Sequence, residues 1–240
     1  MSSRSYSVCA VLVLVATFPS QSTLSPGGDV SDARAVLANV ATVYSKFRSY
    51  EGHGTHTTTT VHSGDLDATC FSIWYSHPRR LRIEWNSCSL PRTEQPSILV
   101  SGGDGILLRT GPLGGVGEEV ELDNAIAKAA GASHGAAFNI PTMLIGSDVG
   151  FRFVDMEQPR IVRGEEIEGD NCLLVEGMHP RGATIQVWVR RDDFIVRRIR
   201  TVRLVEGDRR REIVDDEIHS EIHVNGHIAA DRFQVEPATK

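Results

Sequence analysis

Apolar and charged residues alternate one by one through much of this 240-residue chain. The clearest example is the segment 80–85, in which Leu81, Ile83 and Trp85 alternate with charged residues. Successive side chains of a β-strand point to opposite faces of the sheet, so this pattern is typical of a strand with one apolar and one polar face. The chain is therefore predicted to form an antiparallel sheet that faces water on one side.

About ten such segments follow the first helical region, and most are joined by short turns rich in glycine or aspartate. Short turns join antiparallel neighbours, since parallel strands need long crossover connections. No internal repeat and no proline-rich or acidic linker divides the sequence. The pattern predicts one mainly β domain over residues 23–240, arranged as a meander.

Two regions break the strand pattern. After Ser31 and Asp32, which can cap a helix, apolar residues recur at helical spacing up to about Ser49. Residues 123–146 form a second helical region, rich in alanine and other apolar residues. This insert is more apolar than a surface helix needs, so it is predicted either to plug the core or to cover the apolar face of the sheet as a lid.

The N-terminus has the features of a secretory signal peptide. A positively charged residue precedes a short apolar run at residues 9–16, and small residues follow near Ser22. The run is too short to span a membrane, so residues 1–22 are predicted to be cleaved; the alternative is a lipid anchor retained on Cys9. Residues 23–240 contain no second apolar segment of membrane length. A periplasmic or secreted protein is expected.

Charge and cysteine content narrow the function further. The net charge of −6 argues against electrostatic binding to nucleic acid. Cys70 and Cys88 lie on the two arms of a predicted hairpin centred near Pro78, at similar distances from its turn, so they either pair across the strands or remain free. Cys172 has apolar neighbours and is predicted to be buried. The sequence lacks a C-x-x-C motif, which weakens any redox or zinc interpretation.

Three histidines near the C-terminus are candidate metal ligands. His219, His223 and His227 are spaced by four residues, which on a helix would place them on one face. Ile218 and Ile222 instead alternate with them as in a strand, which predicts that His219 and His223 lie on the polar face of the sheet. Solvated histidines are the preferred interpretation, and neither a metal site nor a cofactor is predicted.

Ser133 is a candidate nucleophile, because residues 131–135 match the G-x-S-x-G pattern of hydrolases. That motif requires a strand before the serine and a helix after it, whereas an alanine-rich helical segment precedes Ser133. A helix that ends near Gly131, followed by a segment capped by Ser133, explains the same residues. A hydrolase is therefore kept only as an alternative.

Several segments together resemble a known group of proteins. In chain order they read VYSKFRSY, PRRLRIEW, VSGGDG, IPTML, GDNCLLV and VWV, at residues 43–50, 78–85, 100–105, 140–144, 169–175 and 187–189. They are similar to predicted periplasmic proteins of unknown function that are allied to the outer-membrane lipoprotein carriers, the lipoprotein-sorting proteins and the sigma-E regulator domain. The resemblance lies in pattern and order over nearly the whole mature chain, without a catalytic signature.

This resemblance implies an α+β, mainly β fold. It consists of a strongly curved antiparallel half-barrel of about ten strands, with an N-terminal helix and a short helical insert on the concave face. In the lipoprotein carriers that concavity receives acyl chains. No position in this sequence matches the arginine with which those carriers hold their lid closed.

Pattern and resemblance together lead to the hypothesis of a non-enzymatic cell-envelope protein that binds a lipid, an acyl chain or a lipoprotein in the concave apolar face. The predicted wall of that face consists of Phe71, Ile73, Leu81, Ile83, Trp85, Ile98, Val100, Leu173, Val175, Ile185 and Val187. The predicted lid consists of Phe138, Ile140, Met143 and Leu144. One alternative is an envelope interaction or sensor module with a filled core and a protein partner. A hydrolase or metal-dependent enzyme is the third hypothesis.

Overall fold

One antiparallel sheet of eleven strands dominates the structure, a computed structural model that describes residues 30–89, 95–103, 105–111, 116–205 and 211–234. The strands are β1 (Ser49–Thr60), β2 (Asp65–Ser76), β3 (Arg80–Ser87), β4 (Ser97–Gly102), β5 (Gly105–Arg109), β6 (Val116–Glu119), β7 (Glu157–Ile167), β8 (Asp170–Met178), β9 (Thr184–Arg190), β10 (Val196–Val205) and β11 (Arg211–Val224). The predicted mainly β fold is confirmed. The predicted signal peptide lies outside the described residues.

The sheet is a meander whose two halves meet at its centre. Its strand order is β6-β5-β4-β3-β2-β1-β11-β10-β9-β8-β7, so β1 pairs with both β2 and β11. The sheet is open, with β6 and β7 at its edges. Short connections between consecutive strands make this antiparallel arrangement the expected one.

Helices cover one face of the sheet, which we call the concave face. They are α1 (Val30–Ser45), α2 (Leu122–Ala132) and α3 (Asn139–Ile145). The apolar stripe of α1 is buried, with Leu37 and Val40 at most 1% exposed, and α1 contacts β7 and α3. The N-terminal helix and the helical insert that the sequence predicts are thus both present.

Strand pairing shows which side chains share the concave face. Ile73 lies opposite Ile83, and Ile83 lies opposite Leu99 of β4, and all three belong to the main hydrophobic core. Trp74 and Trp188 lie outside that core, as the alternation of their strands predicts.

Ile98 and Val100 do not lie on the concave face, and their predicted placement there is wrong. Ile98 is opposite Glu84 and Val100 is opposite Arg82, so both project from the outer face. They are buried there because the 3₁₀ helix Ala230–Phe233 contacts β3 and β4. Arg82 helps to hold this C-terminal segment by donating hydrogen bonds to two of its carbonyl oxygens, each at 3.1 Å.

A disulfide joins Cys70 of β2 to Cys88, just after β3, with their Cα atoms 4.9 Å apart. The two residues flank the β2–β3 hairpin, in which Cys70 lies opposite Asn86. Of the two states that the sequence leaves open for this pair, the structure has the bonded one. Cys172 is free and buried on the outer face beside Leu174 and Trp188.

Candidate functional site

The predicted apolar wall lies in the core of the protein. Apart from Ile98 and Val100, every wall residue belongs to the main hydrophobic cluster or packs against it. The same cluster contains residues of all three helices, among them Leu37, Ile126 and Ile140. Helices therefore fill most of the concave face, and the side chains of the wall contact protein there.

The predicted lid acts mainly as a plug. Ile140, Met143 and Leu144 of α3 are 6% exposed or less and belong to the main cluster. Phe138, just before α3, is only partly buried. The sequence allows the insert to be either a plug of the core or a lid. The helix α3 is a plug, whereas the segment before it borders open space.

That open space is a cleft of about 750 Å³ at one end of the concave face, which we call the outer cleft. It lies between the segment that joins α2 to α3, the β8–β9 turn, and the ends of β1, β10 and β11. Its lining is His56, Thr58, Ala130, Gly131, His134, Gly135, Phe138, Asn139, His179, Arg181, Ala183, Thr201, Arg203, Leu204, Val205 and Asp215. The volume falls in the range typical of small-molecule sites.

A smaller pocket of about 210 Å³ adjoins the outer cleft, and we call it the inner pocket. It is lined by Phe138, Asn139, Phe151, Phe153, His179, Ile185, Ile199 and Thr201. Four of these residues also line the outer cleft, and we call them the neck: Phe138, Asn139, His179 and Thr201. Apolar side chains make up five of the eight residues that line the inner pocket, compared with five of the sixteen that line the outer cleft. Of the predicted wall and lid, only Ile185 and Phe138 line either space.

Hydrogen bonds fix the position of His179 in the neck. Its backbone N–H donates to the carbonyl of Ala183 at 2.8 Å, and its ring Nδ1 accepts from the backbone N–H of Arg181 at 2.9 Å. The ring centroid lies 4.2 Å from that of Phe151. Desolvation and the neighbouring Arg181 charge lower the pKa of His179, so its neutral form is favoured.

The charged groups of the outer cleft are Arg181, Arg203 and Asp215. Arg203 Nε lies 3.3 Å from a carboxylate oxygen of Asp215, and Thr58 donates a hydrogen bond to that carboxylate at 2.7 Å. Arg181 is exposed and takes part in none of the ion pairs of the described residues. The described residues of the lining therefore include one cation more than anions.

The sequence pattern does not indicate that most of these residues belong to a binding site. His179, Arg181 and Arg203 lie in turns or near strand ends, where alternation carries little information about direction. The Arg181-Gly182 turn marks only a chain reversal in the sequence. Its proximity to β10 and β11 arises from the pairing of β9 with β10 and of β10 with β11.

A buried polar cluster lies on the concave face next to the neck. Glu217 accepts hydrogen bonds from His219 Nε2 at 2.8 Å and from Asn139 Nδ2 at 2.6 Å, and both Glu217 and His219 are almost fully buried. The His219 ring also packs against Phe71, with centroids 5.3 Å apart. The cluster ties the first residue of α3 to β11.

The predicted placement of His219 on the solvated face is therefore wrong. A bulge adds one residue to β11 opposite β1, between the pairs Glu51–His223 and His53–Ser220. Glu221 has φ +49° at this point, and the strand changes phase there. Ile222 consequently packs against the core, as its apolar character suggests, while His219 points inward before the bulge.

Ser133 caps a backbone turn and is fully buried. Its hydroxyl accepts a hydrogen bond from the Ala137 backbone N–H at 3.0 Å and lies 3.4 Å from the Ala130 carbonyl oxygen. This is the capping role that the sequence favours over a nucleophile. Its surroundings also lack a strand leading into the serine, because α2 precedes it.

The described residues show neither a metal-binding cluster nor a membrane-spanning helix. They contain no group of three or more His, Cys, Asp or Glu side chains arranged to hold a metal ion. None of the helices in this part of the chain has the length and apolar character needed to cross a membrane.

Comparison with known proteins gives matches among solved structures only. The sequence matches no protein-family model and no curated protein. The lipoprotein LppX of Mycobacterium tuberculosis is similar with a TM-score of 0.49 and 12% identity, over 84% of this chain and 99% of that one. A LolA superfamily protein of Nitrosomonas europaea has a TM-score of 0.36 and 11% identity, over 85% and 97%.

The MucA/MucB complex of Pseudomonas aeruginosa also matches, with a TM-score of 0.45 and 13% identity, over 85% of this chain and 61% of the matched chain. A domain of a lipoprotein-sorting protein of Vibrio parahaemolyticus is also among the solved structures found, with a TM-score of 0.38 and 8% identity, over 85% of this chain and 97% of that one. The similarity is distant and concerns the fold.

Proposed function

We propose that the protein is a non-enzymatic, cell-envelope protein that binds a lipid, acyl chain or lipoprotein. The binding site is the outer cleft together with the inner pocket. The observation that supports this proposal is the larger share of apolar side chains in the lining of the inner pocket than in that of the outer cleft. An amphipathic molecule fits such a difference, because its chain gains from leaving water while its head remains solvated.

The driving force is the removal of the chain from water. Each buried methylene contributes about 0.8 kcal/mol. The inner pocket is bounded by three aromatic rings, of Phe138, Phe151 and Phe153, and by Ile185 and Ile199. The wall residues, which the helices cover, stabilise the fold. The ligand binds at the end of the concave face that the helices leave open.

The test measures binding of palmitate to the delipidated protein by displacement of a fluorescent fatty acid. Thr201→Trp places a large side chain at the neck and should weaken binding at least about tenfold, since it removes space for the chain. Val202→Trp is the matched control, because the next residue of β10 points to the outer face and should leave affinity unchanged. Equal affinities of both variants and the parent protein would contradict the proposal.

Mass spectrometry of organic extracts from the purified protein gives an independent readout. Acyl species in stoichiometric amount are expected from the parent protein and from Val202→Trp, and much less from Thr201→Trp. If the parent protein neither yields acyl species nor binds palmitate, the lipid-binding proposal is wrong.

An interaction or sensor module remains the second candidate, and the distribution of exposed apolar residues favours it. Four of the five large hydrophobic residues exposed in the described part of the chain lie at one end of the central strands: Val61, Leu66, Leu204 and Val205. Exposed apolar clusters mark contact surfaces for other molecules. For such a module, Leu66→Ser with Leu204→Ser should abolish cross-linking to an envelope partner, and Thr201→Trp should not.

A further inference from the structure

The β8–β9 turn places two hydrogen-bond donors at the junction of the outer cleft and the inner pocket. The turn is closed by the Gly182 N–H, which donates to the His179 carbonyl at 2.8 Å, and by the His179 N–H, which donates to Ala183. His179 lies in the neck, and Arg181 lines the outer cleft. A head group at the junction would therefore meet both side chains.

The hydrogen bond to Nδ1 determines what the His179 ring can offer a ligand. Nδ1 accepts the Arg181 backbone N–H, so the proton of the neutral imidazole must be on Nε2. The other nitrogen of the ring is thus a fixed donor. Contact with Phe151 restrains the ring on its apolar side. This geometry favours a ligand group that only accepts hydrogen bonds.

Charge points to the same kind of group. The Arg203 guanidinium is already next to Asp215, whereas Arg181 has no ion-pair partner among the described residues. Among the described residues that line the cleft, Asp215 is the one carboxylate. A guanidinium offers several N–H donors in a planar fork that suits carboxylate and phosphate oxygens.

We infer that the neck is an oxyanion site, in which His179 Nε2–H and the Arg181 guanidinium bind the carboxylate or phosphate head group of an amphipathic ligand. The part of the alkyl chain next to the head group lies in the inner pocket. This inference rests on the proposed function, because it assumes that the cleft and the pocket hold one molecule.

The experiment compares ligands that share a sixteen-carbon chain and differ in the head group. Palmitate carries a carboxylate, palmitoyl-lysophosphatidate carries a phosphate, and hexadecanol is neutral. Palmitate and lysophosphatidate should each bind about tenfold more tightly than hexadecanol, as expected for a charge-assisted hydrogen bond at a partly exposed site. Acetate and inorganic phosphate test whether the head group alone is bound.

Variants assign the preference to the turn. Arg181→Gln and His179→Phe should each weaken palmitate binding about tenfold and weaken hexadecanol binding much less, because the neutral hydroxyl gains less from these donors. His179→Gln keeps a donor and should restore most of the palmitate affinity. Arg200→Gln is the matched control, since Arg200 pairs with Asp216 on the outer face of β10 and should have no effect on either ligand.

Each result separates the inference from the function on which it rests. If hexadecanol binds as tightly as palmitate, or if Arg181→Gln weakens both ligands equally, the oxyanion site is wrong and the lipid cleft stands. If inorganic phosphate binds as tightly as lysophosphatidate, the site is an ion site without a role for the chain. If none of the three long-chain ligands binds, the proposed function fails and the inference fails with it.

Discussion

Two neighbouring tyrosines provide a matched test of how hydrogen bonding sets stability in this core. Tyr44 and Tyr50 are both fully buried, and their ring centroids are 6.2 Å apart. The Tyr44 hydroxyl accepts the backbone N–H of Val196 at 3.2 Å. The Tyr50 hydroxyl has no hydrogen-bond partner among the described residues. Replacing either tyrosine with phenylalanine removes one oxygen atom and leaves the ring.

The two substitutions should have different effects on the free energy of unfolding. Tyr44→Phe leaves the N–H of Val196 unpaired in a fully buried position, which costs about 1–3 kcal/mol. Tyr50→Phe removes a hydroxyl that is dehydrated without compensation, so stability should stay the same or rise by up to about 1 kcal/mol. The predicted difference between the variants is therefore at least about 1 kcal/mol.

Urea unfolding followed by tryptophan fluorescence measures this difference. In both variants the slope of the free energy of unfolding against urea concentration should equal that of the parent protein. A change in the midpoint then reports a change in stability. Equal losses of stability in Tyr44→Phe and Tyr50→Phe would refute the reasoning. They would show that a hydrogen-bond partner of the hydroxyl does not determine whether its removal lowers the free energy of unfolding.

Four further predictions concern pH, thiols and glycines. Burial raises the pKa of Tyr44 and of Tyr50 above the ordinary value near 10, so both stay neutral in the folded protein. The free energy of unfolding should therefore be constant below about pH 10 and fall as the pH rises further, because the same tyrosines ionise in the unfolded chain. Tyrosinate absorbance at 295 nm should appear together with unfolding and not before it. Burial is also the main cause that raises the pKa of Cys172 to about 11, so iodoacetamide at pH 8 should modify it only in unfolded protein, and rapid reaction of the native protein would contradict this. Replacing Cys70 and Cys88 with serine should lower the free energy of unfolding by about 2–4 kcal/mol, measured in urea, because the bond closes a loop of 18 residues. Gly54→Ala should lower the free energy of unfolding by about 1–3 kcal/mol, since the new Cβ would overlap the Ile218 carbonyl and the Phe71 ring. Gly131→Ala lies in open space on α2 and should raise it by about 0.5–1 kcal/mol. Thermal melting curves in which both variants shift in the same direction would contradict the packing argument.

Alternation predicted the sheet well where each strand has one apolar face and no irregularity. Leu81, Ile83 and Trp85 all lie on the concave face, as expected. The segment 98–100 consists of three consecutive apolar residues, so its phase cannot be read from the sequence. Only its pairing with β3 shows that Leu99 points inward and its two neighbours outward.

The bulge in β11 is the second place where local pattern was insufficient. One additional residue moves all following side chains to the other face. Ile222 and Val224 point inward after the bulge, and the same alternation extended backwards would place Ile218 inward as well. Glu217 and His219 occupy that face instead, because they bond to each other and to Asn139, which lies 78 residues before Glu217.

The polar character of one end of the concave face explains why the helices leave it open. Thr58, Thr201 and Asp215 line the outer cleft, on strands that further along carry the core residues Tyr50, Ile199 and Val224. An apolar helix laid over these groups would take them out of water, which costs free energy even for the ion pair of Asp215 with Arg203. Plugging is favourable only over the apolar part, and the cleft begins where that part ends. The same polar side chains of the sheet therefore determine where the helices stop covering the concave face and where the outer cleft begins.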